Sequence, residues 1–476
     1  MAFSRAQYDV VLVSPPASVV REHWDKPDFP AIGVAYIGHF LERRRGIAPA
    51  IIDGKLSRLD VPETVRQIAA LAPRIVGLSA MTHEITTAHE IATRLKEELP
   101  AAHVVLGGFH GTALPERTLR EFASFDFVVV GEGEVAFAEL VDRLLSGRPA
   151  GRIPGVACLD DGRFVDQGRG VVPGSLDHLG TPGWHLFDPE VMRQYCRLLP
   201  LMSQRGCPFE CNFCSRPYGR TLRKRDPETI CDEIEAGRSA YGVDRFTFFD
   251  ETFTVDPGHV EGICSGLVER GLGGAIRWSA MVHANTVRAG TLAAMKAAGC
   301  DFLYFGVESG NADTIRRMKK GITKARILRC AGLLRDAKIP FGAMFILGHP
   351  DETRRTIFDT LLFAVRIGSA HTVFGIMVPY PGTEIWDMAL RGEGGYAPVS
   401  PRWEDYNKQI GNALRLKRIG RRELELYQMI GYLAVDLSRL RIGSMVSSAV
   451  KHRARIAFAL RKVFGPARRI ESRAGS

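Results

Sequence analysis

Short apolar runs that end in small or acidic residues, each followed by a stretch of helical period, recur through two successive parts of this chain and restrict it to parallel-sheet α/β architecture. In the first part, Asp9-Val10-Val11-Leu12-Val13 runs into Ser14-Pro15-Pro16. The runs Ile75 to Ser79, Val104 to Gly108 and Phe127 to Gly131 repeat the design, and between two of them Thr87 to Leu99 puts Ala88, Ile91, Ala92, Leu95 and Leu99 on one helical face. The pattern predicts a doubly wound, Rossmann-like domain over residues 1–150, with ligands beyond the carboxyl ends of its strands. Residues 151–195 are broken by Gly151, Pro154-Gly155, Asp160-Asp161-Gly162, Pro173-Gly174 and Thr181-Pro182-Gly183, and read as a linker with a small hairpin around Val156 to Val165. A second alternation from Leu198 to Val378 gives six strand–helix units, a partial (β/α)6 TIM-type barrel over residues 196–390 that is open on one side. Residues 391–476 follow as a mainly helical C-terminal region.

At 476 residues the chain exceeds what one hydrophobic core usually supports, and 45% hydrophobic with 24% charged residues is a globular balance. No apolar stretch approaches the ~20 residues of a membrane span, and Met1-Ala2-Phe3-Ser4-Arg5 leads into a strand, so a cytoplasmic location is expected. Six of the nine cysteines, Cys158, Cys196, Cys231, Cys264, Cys300 and Cys330, are scattered singly and read as small core residues. The net charge of +10 is concentrated at the end: Arg439 to Ser476 holds ten Lys or Arg against one acid, Glu471, a net of +9. Within it, Met445 to Phe464 places Val446, Ala449, Val450, Ala457, Leu460 and Phe464 on one helical face and Lys451, Arg455, Arg461 and Lys462 elsewhere. Such a segment suits peripheral contact with an anionic membrane, or packing on the barrel; with no nucleic-acid-binding fold beside it, nucleic acid is not an expected partner.

The remaining cysteines stand together in Cys207-Pro208-Phe209-Glu210-Cys211-Asn212-Phe213-Cys214. The C-x3-C-x2-C spacing puts three thiolates on one loop, able to ligate three irons of a cubane cluster and leave the fourth iron open. A structural zinc site would want a fourth protein ligand, and no Cys or His follows at a ribbon-like distance.

With Phe213 before its last cysteine, this loop resembles the cluster motif of the radical S-adenosylmethionine (SAM) enzymes. Phe246 to Glu251, Phe305 to Asn311, Phe345 to Thr353 and Val378 to Thr383 resemble the successive strand-end motifs of that family, in order. The resemblance implies a [4Fe–4S] cluster held by Cys207, Cys211 and Cys214, with SAM chelated to the open iron and cleaved to a 5′-deoxyadenosyl radical. It also implies that Asp250 and Glu251 meet the SAM amino group, although the family's Gly-Gly is absent; the same pair reads alternatively as a helix N-cap. Glu308 and Ser309 would hydrogen-bond the ribose, Ile346, Leu347 and Gly348 would lie against adenine, and Tyr380 would stand near it.

The N-terminal turns resemble the cobalamin-binding domain that precedes the barrel in one class of these enzymes. The resembling pieces are Ser14-Pro15-Pro16, Pro30-Ala31-Ile32-Gly33, the strand end at Ser79, Gly107-Gly108-Phe109-His110 with Leu114-Pro115-Glu116, and Gly131-Glu132-Gly133-Glu134. Glycines at strand ends let backbone approach a large planar ligand. The motif D-x-H-x-x-G, whose His ligates cobalt, does not occur, which leaves cobalamin bound without a protein His on cobalt or a domain that has lost it. His110 reads as a turn residue that hydrogen-bonds backbone or corrin side chains.

The resemblance implies a cobalamin-dependent radical SAM enzyme that methylates an unactivated carbon of a small-molecule or lipid substrate and draws electrons from a flavodoxin- or ferredoxin-type reductant. Cyclisation or rearrangement by the same cofactors stays open. Transfer-RNA methylthiotransferases carry three cysteines in the N-terminal domain, whereas the first here is Cys158. Peptide-modifying relatives carry a cysteine-rich run after the barrel, and nothing beyond Cys330 is cysteine. A non-catalytic iron–sulfur, nucleic-acid-binding or membrane-binding protein would leave Glu308 and the ordered strand ends without purpose. Loops after the strands, with Trp386, Trp403 and Tyr406, are expected to line the substrate pocket.

Overall fold

The first alternation folds into a parallel sheet of β1 (Val10–Ser14), β2 (Ala50–Asp53), β3 (Ile75–Ser79), β4 (His103–Gly107) and β5 (Phe127–Val129), in the order β2-β1-β3-β4-β5. Helices cover both faces, so the strands are apolar along their whole length rather than alternating: Val10 to Val13 are buried without exception. The computed structural model describes residues 8–17, 26–170, 172, 174–407 and 412–439. Beyond β5 the sheet continues through β6 (Val156–Asp160) and β7 (Arg163–Asp166), an antiparallel hairpin paired along β5 from Phe127 to Val129. The hairpin read as part of a linker is therefore the edge of this sheet, turned by Asp161 and Gly162, both at positive φ (46° and 75°), the conformation a two-residue Asp-Gly turn demands.

The second alternation forms six parallel strands: β8 (Leu199–Leu201), then, past the short antiparallel pair β9 (Gln204–Arg205) and β10 (Arg223–Lys224), β11 (Arg245–Phe248), β12 (Arg277–Val282), β13 (Cys300–Glu308), β14 (Phe341–Leu347) and β15 (His371–Ile376). Their order, β15-β14-β13-β12-β11-β8, does not close, which makes the partial barrel expected from the sequence. Asp226, Asp256, Asn311, Thr323, Thr353 and Thr383 cap the helices that follow, each accepting backbone N–H groups of the first turn. Asp256, not Asp250 or Glu251, is the cap after β11.

The helix Arg421–Ser438 packs on β15 through Gly431, where a Cβ would stand 2.8 Å from the Phe374 ring. Trp386, Trp403 and Tyr406, expected to line a pocket, are buried against the N-terminal domain, with the Trp403 indole donating to Glu121 (2.6 Å) and Arg117 stacked over it at 4.4 Å. Large aromatic faces cover more apolar area than a loop lining would need, and here they glue the C-terminal region to the first sheet. Cys196, Cys231, Cys264, Cys300 and Cys330 are buried, as their scatter suggested, and Cys158 is half-buried. The basic segment Met445 to Phe464 lies outside the described residues. No helix among the described residues is long and apolar enough to cross a membrane.

Candidate active site at two facing sets of strand ends

The cysteine loop leaves the barrel after β9 and returns at β10. At its base Gly206 has φ +98°, and a Cβ there would collide with the Thr221 carbonyl, so only glycine lets the two strands of the loop cross. The Cys207 N–H donates to the Gly219 carbonyl (3.1 Å) and the Cys214 N–H to that of Cys211 (3.3 Å). Asn212 pins the middle: its backbone and side-chain N–H groups donate to Met318 and Arg317 carbonyls, each at 3.1 Å, and its carbonyl accepts from Ile385 at 3.2 Å. All three cysteines are half-buried, and burial pushes the Cys211 thiol to about 12 and Cys214 upward as well. Three soft donors on one tethered loop fit an iron–sulfur cluster. Phe213 lies 6.4 Å from the His349 ring, and Phe209 stacks on His283 at 3.6 Å.

Acidic side chains surround this loop. Asp250 turns inward, accepting from the Ser203 backbone (2.8 Å), the Ser203 hydroxyl (2.5 Å) and the Gln204 N–H (3.2 Å). Glu251 accepts from the Gly206 N–H through Oε2 (2.9 Å) and leaves Oε1 buried and unpartnered, a site suited to a ligand ammonium. Burial raises both carboxyls to about 7. Glu308 sits at φ +65° where β13 slips register against β14, a strained position for a residue with a side chain. Its carboxylate accepts from the Lys320 ammonium at 2.5 Å, which also donates to the Gly306 carbonyl at 2.8 Å. A Cβ at Gly306 would strike both charged groups, so the glycine makes room for the pair. The Ser309 hydroxyl is engaged by Thr360 (3.0 Å) and Asn311 (3.1 Å). Ile346 and Leu347 are buried at the end of β14, where Gly348 (φ +94°) and His349 both donate to Glu352. The second Glu352 oxygen has no partner, and burial lifts this carboxyl too to about 7.

The N-terminal strand ends are built differently. In the order 2-1-3-4-5 the direction of winding reverses between β1 and β3, so the crevice lies between Ser14-Pro15-Pro16 and Ser79. A Cβ added at Gly33 would meet nothing within 4 Å, and one at Gly107 only the Leu78 carbonyl at 3.9 Å, so backbone here is open to a ligand. Gly108 (φ +92°) is instead pressed on Ala80, and Gly131 (φ +88°) donates to the Thr112 hydroxyl at 3.0 Å. Gly133 packs near Ile37. Met81 and Phe109 follow β3 and β4 with 37% and 39% of their surface exposed, and Phe249 follows β11 with 38%: uncovered apolar area of the kind a large flat ligand would bury. Open backbone at the switch point and these side chains fit cobalamin. His110 is fully buried beneath Trp403 (4.7 Å), neither ring nitrogen has a partner, and burial, assisted by Arg117, lowers it to about 3.

The two sets of ends face each other. Arg205 donates to Glu132 (2.6 Å) and Glu134 (2.5 Å), and Arg223 donates to Glu132 through both guanidinium nitrogens. Burial opposes the Glu134 charge, yet Arg205 outweighs it and holds the carboxyl below its ordinary range. Phe29 meets Phe249 edge to face at 5.2 Å, and Tyr380, which packs on the N-terminal core, is pushed to about 12 by burial and then by Glu84 beyond β3. Arg205, Arg223, Lys320 and Glu352 were not singled out in the sequence. Only the acid four residues after Gly348 offered a local signal, since a loop glycine at positive φ exposes backbone donors that such a carboxylate can take.

Residues 25–141 match the B12 binding domain and residues 201–364 the Radical SAM superfamily. Over 431 residues the chain is 29% identical to an uncharacterized methyltransferase of Pyrococcus horikoshii, covering 90% of this chain and 92% of that one. It is 28% identical to the anaerobic magnesium-protoporphyrin IX monomethyl ester cyclase of Cereibacter sphaeroides over 75% of this chain and 60% of that one. The fold is similar to that of the radical S-adenosylmethionine methyltransferase TsrM from Kitasatospora setae, solved with cobalamin and a [4Fe–4S] cluster, at TM-score 0.67 and 18% identity, covering 83% of this chain and 76% of that one.

Proposed function

Since the chain belongs to the cobalamin-dependent radical SAM enzymes, with a B12 binding domain ahead of its radical SAM domain, we propose that it methylates an unactivated carbon of a small-molecule substrate held between the two sets of strand ends. The observation that carries this reading is the buried Glu132, Glu134, Arg205 and Arg223 network, which ties the base of the cysteine loop to the turn after β5. When bound, SAM at the cluster is a source of a hydrogen-abstracting carbon radical, and cobalamin is a methyl carrier. Cys207, Cys211 and Cys214 hold the cluster. Glu251 takes the SAM ammonium on its free oxygen, and Glu308, oriented by Lys320, accepts from the ribose hydroxyls. Ile346, Leu347 and Gly348 form the wall toward adenine, and the turns at Ser14, Ser79 and Gly107 receive the corrin. The packed aromatic seam of Trp386, Trp403 and Tyr406 excludes water from one side of the space between.

The test is an anaerobic reaction of the reconstituted protein with SAM bearing a deuterated methyl group and a one-electron reductant of the flavodoxin or ferredoxin type. Methylation releases both 5′-deoxyadenosine and S-adenosylhomocysteine and carries deuterium into product. Cyclisation, the activity named for the cyclase relative, forms 5′-deoxyadenosine without S-adenosylhomocysteine and adds no carbon. Formation of neither nucleoside product would end the enzymatic reading. A lipid substrate is a narrower version, supported by the basic Arg439 to Ser476 segment; loss of binding to anionic vesicles on its deletion would favour it, and indifference of the full chain to such vesicles would remove it.

A further inference from the structure

Away from the strand ends, helix Ile32–Arg45 carries His39 and Glu42 one turn apart, and the single-turn helix Trp184–Leu186 brings His185 against them. Backbone contacts that do not involve these side chains fix the approach. The Gly183 N–H donates to the Ala35 carbonyl at 3.1 Å, and Leu186 fills the space over Gly38, where a Cβ would stand 2.9 Å from its methyl. Glu42 Oε2 then lies 3.3 Å from His39 Nδ1 and 2.8 Å from His185 Nε2, and the three atoms fall within 4.8 Å of one another. The two imidazole planes stand at 87°, with centroids 5.7 Å apart.

We propose that His39, Glu42 and His185 form a zinc site that fastens the segment joining the two sheets to helix Ile32–Arg45. Two imidazole nitrogens and a carboxylate oxygen are a donor set zinc prefers, and tetrahedral bonds of about 2.0–2.2 Å place ligand atoms roughly 3.3 Å apart. The observed separations already bracket that spacing, so the ion needs only small side-chain shifts. Arg43, on the same helix, opposes a cation, and the Glu42 carboxylate offsets it. His185 is half-exposed, which leaves the fourth coordination position to water. The site braces the joint between the halves from outside and contributes no group to the strand ends.

The experiment measures zinc, iron and corrin per chain after the cluster- and cobalamin-loaded protein has been equilibrated with Zn²⁺ and desalted. Wild type should retain about one zinc with iron unchanged, and zinc should raise its unfolding temperature. His185→Ala and Glu42→Gln, both at exposed or half-exposed positions, should lose the zinc and the thermal shift while keeping iron and corrin. The Cys207→Ala/Cys211→Ala/Cys214→Ala protein should keep this zinc although it holds no cluster. Wild type without zinc, His185→Ala with undiminished zinc, or zinc gained only as iron is lost would each overturn the proposal; the last would place the metal on the cysteine loop.

Discussion

At the ends of the barrel strands the chain buries ionisable groups: the Glu308–Lys320 pair and Glu352 sit out of solvent beside the cysteine loop, and Glu251 is half-buried there. At the ends of the N-terminal strands it places glycine and proline turns and half-exposed Met81 and Phe109; of the acids there, Glu132 and Glu134 point away to arginines of the barrel, while Asp53 and Glu84 are taken up by backbone N–H groups of these turns and by Lys55. One half prepares a site with side-chain chemistry, the other with bare backbone and shape. A cluster and a small zwitterion need directed donors and acceptors, whereas a large planar macrocycle can be held by many weak contacts over open backbone.

That contrast breaks most completely at the cysteines. Replacing any one of Cys207, Cys211 or Cys214 by Ala should abolish the broad charge-transfer absorbance and all SAM cleavage while corrin still binds the first domain; a variant that keeps its cluster would refute the assignment. Next comes the seam between the halves. Arg205→Met leaves Glu134 buried and uncompensated and should destabilise by about 3–5 kcal/mol in chemical unfolding, and adding Glu134→Leu should recover most of it; no recovery would mean the pair does not act as a unit.

Titration should then separate the two kinds of acid. Asp250, Glu251 and Glu352 have carboxyls raised to about 7, so the native state holds protons that the unfolded chain releases above its ordinary carboxylate range. Stability from these groups falls as pH rises through that window to about 7, by up to about 1.4 kcal/mol per pH unit for each, and Asp250→Asn should flatten the slope. Glu134 runs the other way: its carboxyl is lowered, so its stabilisation is present above the ordinary carboxylate value and is lost as pH falls below it. Unfolding midpoints between about pH 2 and pH 8, compared with those of Glu134→Gln, measure both signs. The smallest effect is expected at His110. His110→Leu removes two unpartnered ring nitrogens from beneath Trp403 and should shift stability by no more than about 1 kcal/mol, with corrin still at about one per chain. A loss of corrin would show that the first domain too relies on a directed side chain.

What could be read beforehand followed burial. Strands covered on both faces write themselves as unbroken apolar runs, so β1, β3, β4 and the six barrel strands were visible, and the cysteine loop declares itself by spacing alone. The β6–β7 hairpin looked like linker because an edge strand needs little apolar sequence and its pairing with β5 is a tertiary choice. Lys319 and Lys320 are adjacent and chemically identical, yet one reaches Glu384 at the surface and the other is buried on Glu308, a difference set by tertiary structure. Arg205 and Glu134 are 71 residues apart, and no local pattern announces a partner at that distance.

The ladder β9–β10 sets Arg205 directly opposite Arg223, two like charges in register. Alone, that pairing repels, and the strands it joins are the two stems of the cysteine loop. The counter-charge comes from Glu132 and Glu134, which the ribosome makes first. In vectorial synthesis the nascent N-terminal sheet is therefore complete before either arginine emerges, and it serves as a template on which the stems can close. A barrel expressed without residues 1–150 would hold its stems apart and load iron poorly even with every cysteine in place.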